Sequence, residues 1–172
     1  MKKILLSIFI FLFVIGLTGC TAKKNDNNGN KKTEEVKETG VKATVGTFTL
    51  ELTEKGSFDE MHYLYPEGTV VNSLGTYTIL VYVKDKKTDE VLFRVPISKF
   101  DNKTIDNAIG SGYTKLEEKT INDIKWSVYK DSNDKHSYAT SFNNTVYVVE
   151  FMSQEDMSNF ETAFIGTVTF KK

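Results

Sequence analysis

The chain is predicted to be an α+β protein: an antiparallel sheet of about six strands with helices packed on its faces. Three observations carry this expectation. Through most of residues 44–172 apolar residues recur with period two, the spacing that lays one face of a strand on a core. The connections between these runs are short, DKKTDE at 85–90, DSNDK at 131–135 and NN at 143–144, and short connections join antiparallel neighbours. Helix signals are few and confined to two segments, near 101–109 and 153–164.

Taken in order, TFTLELTE puts Phe48, Leu50 and Leu52 on one face and Thr49, Glu51 and Thr53 on the other. TYTILVYV (76–83) and TVYVVEFM (145–152) are apolar on both faces, as strands are when layers lie above and below them. VLFRVPI holds Pro96, which predicts a strand end or edge there because proline has no N–H for a ladder. YTKLEEKTI is a strand, with Glu117-Glu118 on a solvated edge. IKWSVYK (124–130) alternates Ile124, Trp126 and Val128 with polar residues, and HSYATSF (136–142) alternates Tyr138, Thr140 and Phe142 with Ser137, Ala139 and Ser141. Asp101 is placed to cap a helix over NKTIDNAI that Gly110 and Gly112 end. In SQEDMSNFETAF, Ser153 and Asp156 have capping-box spacing. Met157, Phe160 and Phe164 follow as one apolar stripe, and GTVTFKK returns to strand.

The segments FTLELTEKGSFDEMHYLYPEG, INDIKWSVYKDS and MSNFETAFIGTVTF together resemble the PsbP/Mog1-like family. The likeness spans nearly all of 46–172: an apolar strand ending in Tyr-Pro, a strand entered from a turn before a Trp, and a final helix leading into a T-V-T-F strand. Two features depart from that pattern. Pro66-Glu67-Gly68-Thr69 lacks the family's following Trp, and Asp123 stands where a Gly is expected. The resemblance implies an α/β/α sandwich and a protein that binds other proteins without a shared active site, so it brings no chemistry.

The N-terminal part says where the chain goes. Met1-Lys2-Lys3 is basic, and Ile4 to Leu17 is a run of 14 residues without a charge. That length suits a signal-peptide core and falls short of the roughly 20 residues of a spanning helix. Leu17-Thr18-Gly19-Cys20 resembles the lipobox of bacterial lipoproteins, in which the cysteine is diacylated and becomes the mature N-terminus. Two acyl chains suffice for stable anchoring. Residues 1–19 are thus expected to be a signal peptide, Cys20 a lipid attachment point, and the location the extracytoplasmic face of the cell membrane. Cys20 is the only cysteine, so no disulfide and no thiolate metal site is expected.

Residues 20–43 are expected to be a disordered tether. From 21 to 43 there are six Lys and four acidic residues, a net charge of +2, with Asn25, Asn27, Asn28 and Asn30 among them. Such a segment cannot bury enough surface to offset its chain entropy. Residues 44–172 are expected to be one globular domain. It holds 14 Lys plus Arg against 19 Asp plus Glu, net −5, which argues against nucleic acid as a partner.

Catalytic patterns are weak. His62 and His136 have no second ligand at metal spacing, so no metal and no cofactor is expected. Asp134, His136 and Ser137 are close in sequence, but neighbours on a strand point to opposite faces. Ser127 and Lys130 match Ser-x-x-Lys, a motif that works on a helix and not on a strand. GSG at 110–112 precedes a strand and is no phosphate loop. Asp85, Asp89 and Glu90 lack the twelve-residue calcium pattern. What remains is aromatic: HYLYPEG crowds Tyr63 and Tyr65 beside Pro66, and tyrosine suits recognition surfaces. The expected function is a membrane-anchored, non-enzymatic binding or accessory module that docks another envelope protein or a ligand. Its candidate surface is Tyr63, Tyr65 and Pro66, with at least one tyrosine exposed. The alternative is a lipid-tethered secreted hydrolase.

Overall fold

The computed structural model describes residues 40–152 and 157–171. Strands β1 (Val41–Val45), β2 (Phe48–Phe58) and β3 (Met61–Pro66) form a meander that β11 (Thr169–Phe170) completes, giving a four-stranded sheet in the order β1-β2-β3-β11. The second sheet has seven strands. They are β4 (Val70–Ser73), β5 (Thr78–Lys84), β6 (Val91–Asp101), β7 (Thr114–Ile121), β8 (Ile124–Lys130), β9 (His136–Phe142) and β10 (Thr145–Phe151), in the order β4-β5-β6-β10-β9-β8-β7. Every ladder between described strands is antiparallel. Helices are α1 (Ile105–Ile109) and α2 (Ser158–Gly166).

Two hairpins show how sequence sets the turns. Asn122-Asp123 joins β7 to β8 and Asn143-Asn144 joins β9 to β10, all four at φ between 46° and 63°. Two-residue hairpin loops need left-handed backbone at both positions, and Asn and Asp tolerate it best after glycine.

In the seven-stranded sheet β8, β9 and β10 are buried on both faces, whereas β5 buries one face and leaves the other half-covered. One face meets the four-stranded sheet and α2 in the main core, where Leu52, Met61, Val81, Val95, Trp126, Tyr147, Phe151, Phe160 and Phe164 are fully buried or nearly so. Phe93 meets Phe160 edge-on at 4.6 Å. Emptying the Phe160 site would cost about 3–5 kcal/mol. On the other face Tyr129, Ala139, Val146 and Val148 pack under α1, and the Tyr129 hydroxyl donates to Asp106 Oδ1 at 2.9 Å.

Several expectations change. The described residues form two sheets and eleven strands with two short helices, not one sheet of about six strands in a helix-rich α/β/α sandwich. A second sheet does much of the covering that helices were expected to do. In the four-stranded sheet β11 has two residues, and in the seven-stranded sheet β4 has four, too short for a periodic signal. Pro96 lies inside an 11-residue central strand rather than at an end or edge. It faces Leu80 in β5, while the ladder to β10 stops at Ile97. That position spares one ladder the N–H that proline lacks. Asp101 ends β6 and accepts from Thr145 Oγ1, and the cap of α1 is Thr104, whose Oγ1 accepts from Asn107 N. Gly110 closes that helix at φ 81°. Residues 41–43, placed before the expected domain boundary at 44, belong to β1; Ala43 is 1 % exposed and pairs with Leu50. The Ser153–Asp156 capping box lies outside the described residues.

Candidate binding site

The expected aromatic surface is mostly interior. Tyr63 is buried, its ring 5.4 Å from Phe164, and Pro66 is buried as well. Tyr65 is half-covered and packs on the same core. The reason lies in the register. Gly56 of β2 stands opposite Tyr63, and both tyrosine rings lie over the space that a side chain at Gly56 would fill. Period two therefore folds Tyr63 and Tyr65 onto their own sheet. Of the three residues only Tyr65 has an edge open to a partner. Beside Tyr63 is a small hollow of about 250 Å³, edged by Lys55, His62 and Lys171.

A larger hollow, about 570 Å³, opens where the strand ends of both sheets meet α1. Its volume falls within the roughly 300–1,000 Å³ common for small-ligand sites. Ile105, Ile124, Phe142 and Phe170 give it apolar walls. Phe142, from the end of β9, stacks on Phe170 of β11 at 4.6 Å with the planes 15° apart, so the two sheets together make the site. The β7–β8 turn forms one rim and contributes Asn122 and Asp123; Lys125, Ser141 and Thr169 add further polar groups. Asn122 Nδ2 donates to the Val168 carbonyl at 2.9 Å and fixes this turn on the chain that enters β11.

The nearby charges are ordered. Lys125 Nζ lies 2.6 Å from Glu118 Oε2, and Lys115 lies 3.0 Å from the other oxygen. These two ammonium groups hold the Glu118 carboxyl down at about 2. Asp123 makes no hydrogen bond or ion pair among the described residues. Residues 122–125 and 169–170 were not singled out as a site by sequence because each half of the hollow is ordinary by itself. The available signals were the Asn-Asp pair between two isoleucines and two phenylalanines at strand ends.

The residues considered for chemistry are placed apart. Ser137 is buried near Tyr113 on the α1 face, whereas His136 turns to the opposite face, where its Nδ1 lies 2.9 Å from Glu161 Oε2 on α2. Tyr138 OH approaches the same oxygen at 3.4 Å, and burial followed by the Glu161 charge raises its pKa. Asp134 pairs with Lys130, not with His136. Ser127 is buried, three residues along the strand from Lys130 and so on the opposite face. Glu117 and Glu118 lie on the exposed edge strand β7. Asp85 caps its own turn through Lys87 N, and Asp89 pairs with Lys84. Among the described residues no three His, Asp or Glu converge to hold a metal ion, and no helix is long and apolar enough to cross a membrane. Cys20 lies outside the described residues.

No family model matches the chain. No curated protein matches it either. Among solved structures it is similar to a crystal structure from Bacteroides thetaiotaomicron, at 13% identity and TM-score 0.42, over 68% of this chain and 47% of that one. It is also similar to the solution structure of the cyanobacterial PsbP protein CyanoP from Synechocystis, at 11% identity and TM-score 0.46, over 69% of this chain and 91% of the other. The chain thus spans about half the length of the Bacteroides protein.

Proposed function

We propose that the protein is a bacterial lipoprotein held at the extracytoplasmic face of the cell membrane by Cys20. Its folded part acts as a non-enzymatic binding or accessory module, and the Phe142–Phe170 hollow receives the ligand or partner group. The observation that carries this reading is the hollow itself: an open aromatic site whose rim keeps polar groups that the fold does not consume. The basic start, the uncharged run and the LTGC box support the anchor. The PsbP/Mog1-like likeness of the sequence fits a binding role, since that family mostly binds other proteins.

The test uses the full chain in its own membranes. Cys20→Ala should leave the precursor uncut or release the protein on fractionation. Ser141→Trp, which places a large ring at the hollow, should remove the bound ligand or cross-linked partner while membrane retention is unchanged. Retention of the Cys20→Ala protein with normal processing would contradict the anchor. Unchanged capture by Ser141→Trp would contradict the site.

A further inference from the structure

Resting on the reading of the hollow as the binding site, we propose that its ligand is a cationic amphiphile: a small molecule with a flat apolar body and an ammonium or guanidinium head that pairs with Asp123. The walls fix the body. Ile124 and the stacked pair Phe142 and Phe170 offer apolar and aromatic surface, which a flat hydrophobic group fills best. The rim fixes the head. Its donors are partly engaged: one N–H of Asn122 Nδ2 goes to Val168 O, Thr140 Oγ1 goes to Lys125 O, and one N–H of Lys125 Nζ goes to Glu118. The Asp123 carboxylate and Asn122 Oδ1 remain, and both only accept. The hydroxyls of Ser141 and Thr169 can act either way. A head that donates therefore satisfies the two acceptors, Asp123 and Asn122 Oδ1, which a head that only accepts leaves unpaired.

Charge points the same way. Among the described residues Asp123 pairs with no cation, whereas the ammonium of Lys125, 71% exposed, is paired with Glu118. Aromatic faces attract cations. The net charge of −5 over residues 44–172 steers cations towards the domain. The carboxylate is also held in place. Asn122 and Asp123 sit at φ 50° and 59° in a two-residue turn tied to Val168, so little ordering remains for the ligand to impose.

The experiment is an amide-shift titration of the ¹⁵N-labelled full chain in lipid nanodiscs, referenced to empty discs, with phenethylamine, 2-phenylethanol and phenylacetate. Phenethylamine should move the amides of 122–125, 140–142 and 169–170, and should bind about two- to five-fold more tightly than the alcohol, the range for one exposed charge pair. Phenylacetate should bind most weakly. Asp123→Asn, which suits the same backbone, should erase the preference for the amine while the alcohol still binds. Equal binding of amine and acid, or a preference that survives Asp123→Asn, would overturn the cationic ligand but leave the hollow as a site. No shift at the hollow with any of the three probes would overturn both.

Discussion

Phe142 stacks on Phe170 with ring centroids 4.6 Å apart, and through that pair the last residue of β9 meets the last residue of β11. The contact joins the two sheets and builds a wall of the hollow. Stability and binding therefore share these rings. In a double-mutant cycle of Phe142→Leu and Phe170→Leu, the coupling should be about 0.5–1.5 kcal/mol, the range for aromatic pairs beyond their area. Denaturant unfolding of the four proteins measures it, and additive losses would show that the rings are neighbours without a shared role.

Gly56 should not accept a side chain. An added Cβ would lie 2.7 Å from ring carbons of both Tyr63 and Tyr65, a distance that real contacts do not reach. Gly56→Ala should cost about 1–3 kcal/mol by overpacking. Gly56→Ala combined with Tyr65→Ala should recover part of that loss relative to Tyr65→Ala alone. If Gly56→Ala melts with the parent, the packing of both tyrosines on β2 is wrong.

His136 should act in stability and not in chemistry. Glu161 is 6 % exposed, and its carboxylate has His136 Nδ1 at 2.9 Å. His136→Ala leaves that carboxylate with Tyr138 alone and should cost about 1–3 kcal/mol, the range for a buried group losing its partner. In a Glu161→Gln background the same change should cost clearly less. Equal costs in both backgrounds would mean that the pair carries no energy of its own.

Alkaline pH should unfold the domain through its phenols. Burial, then the bond to Glu150, pushes Tyr113 up to about 12, and burial raises Tyr63, Tyr129, Tyr138 and Tyr147. Folded values above unfolded ones mean that the contribution is complete below the ordinary phenol value of 10. It is lost as pH rises through the folded values. Phenolate absorbance and circular dichroism followed together should therefore change together between 10 and about 12. Early ionisation of Tyr113 with the fold intact would contradict its partial cover and its bond to Glu150.

Local pattern was legible where strands are long and one neighbour decides the face. The strands at 124–130 and 136–142 have the expected limits, and Trp126, Phe160 and Phe164 are buried as their spacing requires. Partition into two sheets was not legible, because it depends on β11 pairing with β3 across about a hundred residues of sequence. Tyr63 and Tyr65 could not be told from a surface pair, since an inward face has the same period and only the glycine opposite explains the cover. The hollow was hidden for a related reason. Asp123 comes from one hairpin, Phe142 from the next and Phe170 from the C-terminal strand, and no linear motif spans them.

Occupancy of the hollow in the native membrane tests the account most directly. Hydroxyl-radical footprinting would compare the full chain in its own membranes with the purified chain, reading oxidation at Phe142, Phe170, Leu74 and Tyr77. Leu74 and Tyr77 are 60% and 56% exposed and stand beside the uncharged edge strand β4, an apolar stretch of the domain surface open to a partner. The account predicts that Phe142 and Phe170 are protected in the membrane while Leu74 and Tyr77 oxidise equally in both samples. Protection at Leu74 and Tyr77 with the phenylalanines unchanged would place the partner on the sheet edge and contradict the hollow as the binding site.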